Sequence, residues 1–200
     1  TNLSEYKSQK RGGRGSQGSK TRDADFIEHM FVASNHNYLL LFTEQGRCFW
    51  LRVYEIPEAS KVAAGRVIQN IINLPQDDRV KAYIPIQDLN DEEFIKNNYI
   101  MFCTRQGTIK KTLVQDFSRP RSNGINAITI HEGDMLLEAR LTNGNNEIII
   151  ANRKGRAIRF NESKVRSMGR NAAGVRGMTL VGPNEGVVGM VCVDPNDMLV

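Results

Sequence analysis

The chain has 200 residues, with 27 Lys and Arg against 22 Asp and Glu, a net charge of +5, an apolar share of 40% and a charged share of 24%. That length can bury a core as one domain or two small ones, and the composition is that of a folded chain rather than a disordered tail. No run reaches the roughly 18 apolar residues of a membrane-spanning helix, and residues 1–18 are polar and basic with no apolar leader segment.

In chain order, residues 1–22 carry Lys7, Lys10, Arg11, Arg14, Lys20 and Arg22 against Glu5 alone. Residues 38–50 then read as a hairpin: an apolar strand, a polar turn closed by Gly46, and a return strand. Glycine supplies the positive φ that a tight turn demands, and the aromatic and β-branched flanks suit strands. Gly65 follows, then a short apolar stretch (72–74) and a further strand over 80–86. Residues 87–98 form an acidic insert in which Asp91, Glu92 and Glu93 are expected in a solvated loop facing away from any polyanion. The plan then recurs twice. Hairpins over 99–111 and 148–159 turn at Gly107 and Gly155, second glycines stand at 124 and 174, apolar stretches lie at 128–130 and 178–180, and strands are expected over 136–141 and 187–193.

The amino-terminal segment belongs to the same series, because residues 4–15 lie without a gap on residues 163–174 at an offset of 159, with Lys7 on Arg166 and Arg11 on Arg170. The repeats are thus anchored near Gly15, Gly65, Gly124 and Gly174, at spacings of 50, 59 and 50 residues. About four short strands in a unit of this size describe a propeller blade, since one such sheet cannot cover its own faces and must stack on its neighbours. The fold class expected is therefore all-β and propeller-like, with residues 1–200 forming three to four blades of a larger ring. Thr1 starts where a preceding return strand would finish and Met198 opens another apolar strand, so the chain is expected to be a piece of a longer protein.

Positive charge returns with the repeat. Residues 152–176 carry eight Lys and Arg against Glu162, and Arg105, Lys110, Lys111, Arg119 and Arg121 face only Asp116 in sequence. Any one block could be an ordinary solvated face, but recurrence at blade spacing points to one extended polyanionic partner. The candidate contacts are Lys7, Lys20, Lys110, Lys111, Arg119, Arg121, Arg156, Arg159, Arg166 and Arg170, together with the segment Gln9-Lys10-Arg11-Gly12-Gly13-Arg14-Gly15.

That segment resembles the seven-residue box, usually Gln-Arg-Arg-Gly-Gly-Lys-Gly, of the DNA gyrase A C-terminal domain family, and residues 26–34, 38–42 and 53–60 read like its first blade. The resemblance covers the whole chain. It implies a six-bladed β-pinwheel with strands exchanged between blades, whose basic perimeter bends and wraps duplex DNA for ATP-dependent negative supercoiling by a bacterial topoisomerase. The implied partners are double-stranded DNA, the gyrase A amino-terminal core and the gyrase B subunit; the expected location is the bacterial cytoplasm, at the nucleoid. Strand cleavage, ATP and Mg2+ belong elsewhere in that complex, so no catalytic residue, cofactor or metal is expected here. Lys10 stands where Arg is usual and Arg14 where Lys is usual, which moves a planar guanidinium fork without changing total charge.

Competing readings are weaker. A phosphate-binding loop at residues 15–21 fails because Ser19 precedes Lys20 and no apolar strand leads in. An RNA-binding Arg-Gly-Gly tract needs many copies in a disordered setting. His29, His36 and His131 lack ligand spacing, Cys48, Cys103 and Cys192 lack a Cys-x-x-Cys pattern, and Phe49 and Trp50 are expected in packing. The widely spaced cysteines give no disulfide framework and fit a reducing compartment. The rivals are the corresponding domain of topoisomerase IV, which generally lacks an intact box, and a protein-binding propeller with incidental basic patches.

Overall fold

The computed structural model describes residues 1–6, 8, 11–13, 15, 27, 29–60, 63, 65, 67–182 and 185–196. Among these the chain forms β1 (Tyr38–Thr43), β2 (Arg47–Arg52), β3 (Val80–Ile86), α1 (Glu92–Asn97), β4 (Tyr99–Thr104), β5 (Thr108–Leu113), β6 (Ile125–Asn126), β7 (Leu136–Thr142), β8 (Glu147–Asn152), β9 (Ala157–Asn161), β10 (Val175–Arg176) and β11 (Val187–Val193). All three predicted hairpins are present. Their turns are closed by a recurring device: Thr43 and Thr104 hydroxyls accept the Arg47 and Thr108 N–H at 3.2 and 3.1 Å, and the Asn152 amide oxygen takes the Arg156 N–H at 2.9 Å.

The strands make antiparallel sheets in the orders β3-β1-β2-β6, β10-β5-β4-β7 and β11-β8-β9. In the first two, the fourth strand comes from the following repeat. β6 pairs with β2 and β10 with β5. This is the exchange of strands between blades that the family resemblance implies, but the exchanged strand is not the apolar stretch counted among each repeat's four strands. The donated strand lies directly after the second glycine, and the apolar stretch instead delivers Ile128 and Met178 into the cores between sheets. Each donated strand is seated by backbone bonds: the Ala127 and Ile128 N–H donate to the Gly46 carbonyl at 2.8 and 3.0 Å, and the Gly177 and Met178 N–H donate to that of Gly107 at 2.8 and 3.1 Å.

β3 packs on β7 and β7 on β11, so these strands line the inner edge of the stack and β6 and β10 lie at the opposite, outer edge. Both faces of the first sheet are covered, one by the second sheet and the other by residues 68–74 of its own repeat. Leu40 and Phe42 face the second sheet, where Phe42 meets Phe102 and Phe117 edge-on at 5.1 and 5.4 Å, while Leu39 and Leu41 join Phe49, Leu51, Ile72 and Leu74 on the other face. A second inter-sheet core holds Met101, Ile109, Ile148, Ile150, Met178 and Met190. Cys48 and Cys103 are buried and Cys192 half-buried, all as free thiols; burial pushes Cys48 well up and raises Cys103 and Cys192 to about 12.

The acidic insert is a short helix rather than a loop. Asp91 caps α1 by accepting the Phe94 N–H at 3.1 Å, which satisfies an otherwise orphaned donor, and Ile95 is buried. Asp91, Glu92 and Glu93 remain exposed, and α1 packs on the turn Val114–Phe117. A 3-10 turn follows the return strand in each repeat, at Val53–Glu55, Val114–Phe117 and Glu162–Lys164. One also occurs at Leu3–Glu5, which the offset of 159 places residue for residue on Glu162–Lys164. At residues 3–5 the amino-terminal segment thus has the local geometry of the repeat it matches.

Candidate nucleic-acid interface

Between each 3-10 turn and the donated strand runs a loop that must cross to the outer edge of the preceding sheet. Residues 118–124 and 165–174 are the two such loops leading into β6 and β10. Arg119, Arg121 and Arg166 stand exposed on them and Arg170 is half-buried. The same edge of successive sheets therefore carries cations at the pitch of the repeat. The Arg47 Nη2 steadies the first loop by donating to the Asn123 carbonyl at 2.7 Å.

The offset of 159 places residues 9–15 in the corresponding loop of the amino-terminal repeat. Arg11, Gly12, Gly13 and Gly15 are exposed, and Gly12 takes a φ of +83°, so the backbone there is open to a ligand. Gln9, Lys10 and Arg14, with Lys7 and Lys20, lie outside the described residues, as does most of the rejected phosphate-loop segment. In the third sheet Arg156 is exposed in the hairpin turn, and Arg159 is exposed on β9 with its Nε 3.0 Å from a Glu147 carboxylate oxygen. Exposed Arg105, Arg153, Lys154 and Arg176 join these cations but are not among the predicted contacts; Arg176, on β10, sits on an outer-edge strand, and its place in the basic block at 152–176 is the signal that points to it.

Two predicted contacts are corrected outright. Lys110 is 0% exposed and Lys111 6%, so neither offers its ammonium to a phosphate. The Lys110 Nζ donates to the carbonyls of Ala127 at 2.6 Å and Arg170 at 2.8 Å, and burial lowers its pKa to about 8. The Lys111 Nζ donates to the Glu162 carbonyl at 2.9 Å, lies 3.9 Å from its carboxylate and sits 4.8 Å from the centre of the Tyr99 ring. The cause is the position of β5, sandwiched between neighbours on both faces, so adjacent residues of either side-chain direction are buried.

Acids of the turn before each inner strand are used internally. Asp78 and Asp134 each accept a hairpin-turn N–H, from Gln45 at 3.1 Å and Gln106 at 3.0 Å, and buried Glu185 takes the Asn152 amide at 2.9 Å. They precede the inner strands in sequence. Phe49 is buried, and the Trp50 indole N–H donates to the Phe117 carbonyl at 2.9 Å across the inter-sheet boundary, so both serve packing as expected.

Stacked antiparallel sheets, the first two completed by a strand of the next repeat and edged by that repeat's cationic loop, define a propeller-like domain of the β-pinwheel kind. The family described as DNA gyrase C-terminal domain, beta-propeller, matches residues 1–34, 37–87, 98–143 and 146–194, and the chain belongs to it. The gap after residue 87 falls on the acidic insert.

Relatives include the DNA gyrase A protein of Halalkalibacterium halodurans, 44% identical over 177 residues, 88% of this chain and 21% of the relative. The DNA gyrase A protein of Escherichia coli K12 is 40% identical over 189 residues, 94% of this chain and 21% of the relative. The chain thus spans about a fifth of the length of these relatives. Among solved structures, the DNA gyrase A C-terminal domain aligns at a TM-score of 0.73 and 26% identity, covering 96% of this chain and 60% of that one. The topoisomerase IV C-terminal domain aligns at 0.76 and 31%, covering 90% and 55%. Fold similarity does not separate the two; the family match and the gyrase relatives at 40% identity or more do.

Proposed function

We propose that the chain is a non-catalytic DNA-wrapping domain spanning residues 1–200, which binds duplex DNA without reading its sequence and curls it along the outer edges of its sheets. The observation that carries this reading is the placement of Arg119, Arg121, Arg166 and Arg170 on equivalent loops at one edge of consecutive sheets; in sequence, residues 9–15 correspond to residues 168–174 of the second of these loops. The wrapped segment would be presented to a gyrase A core and its gyrase B partner for ATP-dependent negative supercoiling in the bacterial cytoplasm.

Wrapping needs no base contacts. Duplex DNA carries a phosphate charge every ~1.7 Å along its axis, and each neutralised phosphate releases counterions. Bending 20–30 base pairs by 40–90° costs about 1–6 kcal/mol, so one loop can bind DNA without holding the bend, and several at fixed spacing are needed. Residues 9–15 add an approach route: glycines that admit a phosphate close to backbone N–H groups, flanked by Lys10, Arg11 and Arg14. They would anchor one end of the wrap.

The deciding experiment replaces residues 9–15 with alanine. Salt-sensitive binding to a linear duplex is expected to persist, while the linking-number change left after ligating a nicked plasmid bound by the protein disappears. A wild-type chain that leaves linking number unaltered would remove the proposal and favour a protein-binding propeller.

Single neutralisation of Arg119, Arg121, Arg156, Arg159, Arg166 or Arg170 is expected to weaken binding equally for unrelated sequences. It should flatten the slope of log affinity against log salt by about one. Titrations on two duplexes of different sequence check this, and a loss confined to one of them would contradict it.

A further inference from the structure

The loop 165–174 is held less by its own repeat than by the one before it. Lys110, inside β5, donates to the Arg170 carbonyl at 2.8 Å and to the Ala127 carbonyl at 2.6 Å. Asn126 Nδ2 lies 3.4 Å from the Arg170 carbonyl oxygen and 3.3 Å from Asn171 Oδ1. The Thr129 hydroxyl donates to the Asn171 carbonyl at 2.8 Å, and the Thr129 N–H to that of Ala172 at 3.2 Å. Asn126 is itself on β6, paired with Arg47 of β2. Strands of the first two sheets and the cationic loop of the next repeat therefore meet around one ammonium.

Packing alone does not require a lysine there. Counted from the hairpin glycines, the positions matching Lys110 are Phe49 and Ile158, both apolar. Burying an ammonium is costly unless its donors are used, and here they fix two backbone carbonyls that no methylene chain could hold. Ala127 directly follows β6, the strand into which the loop of Arg119 and Arg121 leads, and Arg170 is in the next loop. The ammonium ties one cationic loop to its successor.

We propose that Lys110, with Asn126 and Thr129, is a positioning cluster that sets the spacing and aim of these two loops, so that their arginines follow one curved track while the cluster touches no phosphate. The inference rests on the wrapping reading above and assigns its geometry to a buried tie. Attraction between exposed cations and phosphates in water changes little when a loop drifts, because it is long-ranged and screened over about 8–10 Å. Holding a bend requires contacts at the right interval, and so depends on the tie.

The test compares wild type with Lys110→Met and with the near-surface double variant Asn126→Ala/Thr129→Val, each as the 200-residue chain. Affinity and salt slope are measured on a 25-base-pair linear duplex, roughly the length over which a bend is costly, and wrapping by linking number after ligation of a nicked plasmid. The expected result is an affinity within about threefold of wild type and an unchanged salt slope, with the linking-number change at least halved in both variants. An unchanged linking-number shift in the double variant overturns the proposal, as does a loss of wrapping only in proportion to affinity, which is the mark of general unfolding. A wild-type chain that does not alter linking number sinks the wrapping reading itself, and that failure is distinguishable because it appears before any substitution. Should Lys110→Met fail to fold, the double variant, which removes side chains from the rim of the cluster, decides alone.

Discussion

Gly107→Ala is expected to destabilise the chain by about 3 kcal/mol or more, and Gly155→Ala by only about 1–2 kcal/mol, although both glycines close the same kind of hairpin. Each has a left-handed backbone, with φ of +86° and +77°, so each substitution bears the ordinary cost of a side chain in that region. The difference is what a Cβ would meet. At Gly107 it would lie 2.6 Å from the Met178 carbonyl oxygen, part of a backbone that cannot rotate away; at Gly155 nothing lies within 4 Å. Relief at Gly107 requires β10 to move outward, which breaks the two bonds to the Gly107 carbonyl and draws Met178 out of its core. Chemical denaturation of the two variants side by side reads the difference directly. Equal losses would show that seating of the donated strand contributes nothing beyond the turn.

Glu162→Ala is expected to cost about 3–5 kcal/mol, the range for stranding one member of a buried ionic pair. Glu162 is 0% exposed; its carboxylate accepts the Asn146 N–H at 2.8 Å and the Thr142 hydroxyl at 2.9 Å, and Lys111 lies 3.9 Å away. Removing it orphans two donors and leaves a buried ammonium with the backbone carbonyl of residue 162 and the Tyr99 ring. The matching residues of the other repeats are Val53 and Val114, which shows that an apolar residue suits this place when no lysine faces it. Combining Glu162→Val with Lys111→Met is therefore expected to recover about 1–3 kcal/mol relative to the sum of the single losses. Additive losses in the four-member denaturation cycle would show that the two side chains act independently.

The hairpins are legible in the sequence because each has an apolar strand, a buried Thr or Asn and a glycine at fixed offsets, all of them local. What the residues by themselves do not show is partnership, which only the family resemblance implies. Gly124 and Gly174 announce a turn, but nothing local says that the two-residue strand after each belongs to the preceding sheet. Lys110 and Lys111 mislead for a related reason: an adjacent lysine pair on a strand ordinarily puts at least one ammonium into water, and only knowledge that β5 is covered on both faces reverses that. Trp50 and Lys111 hold equivalent places after their hairpin glycines, and both donate to a carbonyl of the following repeat, one from an indole and the other from an ammonium. Both acceptors lie in the 3-10 turn of the following repeat, Phe117 at its end and Glu162 at its start, so self-comparison of the sequence detects the repeat and misses the bond. The acidic insert shows its charge and hides its helix, because six residues with one buried isoleucine carry too little periodicity to register.

Donation of a strand to the preceding sheet also constrains how such a molecule can change length. A unit inserted or deleted in register must bring an edge that fits the sheet before it and offer an edge to the unit after it, whatever charges its loops display. Growth and loss are thus confined to whole modules cut at one phase, while the exposed side chains of the outward loops, whose backbone is held by the repeat before, are free to exchange lysine for arginine or to shed charge altogether.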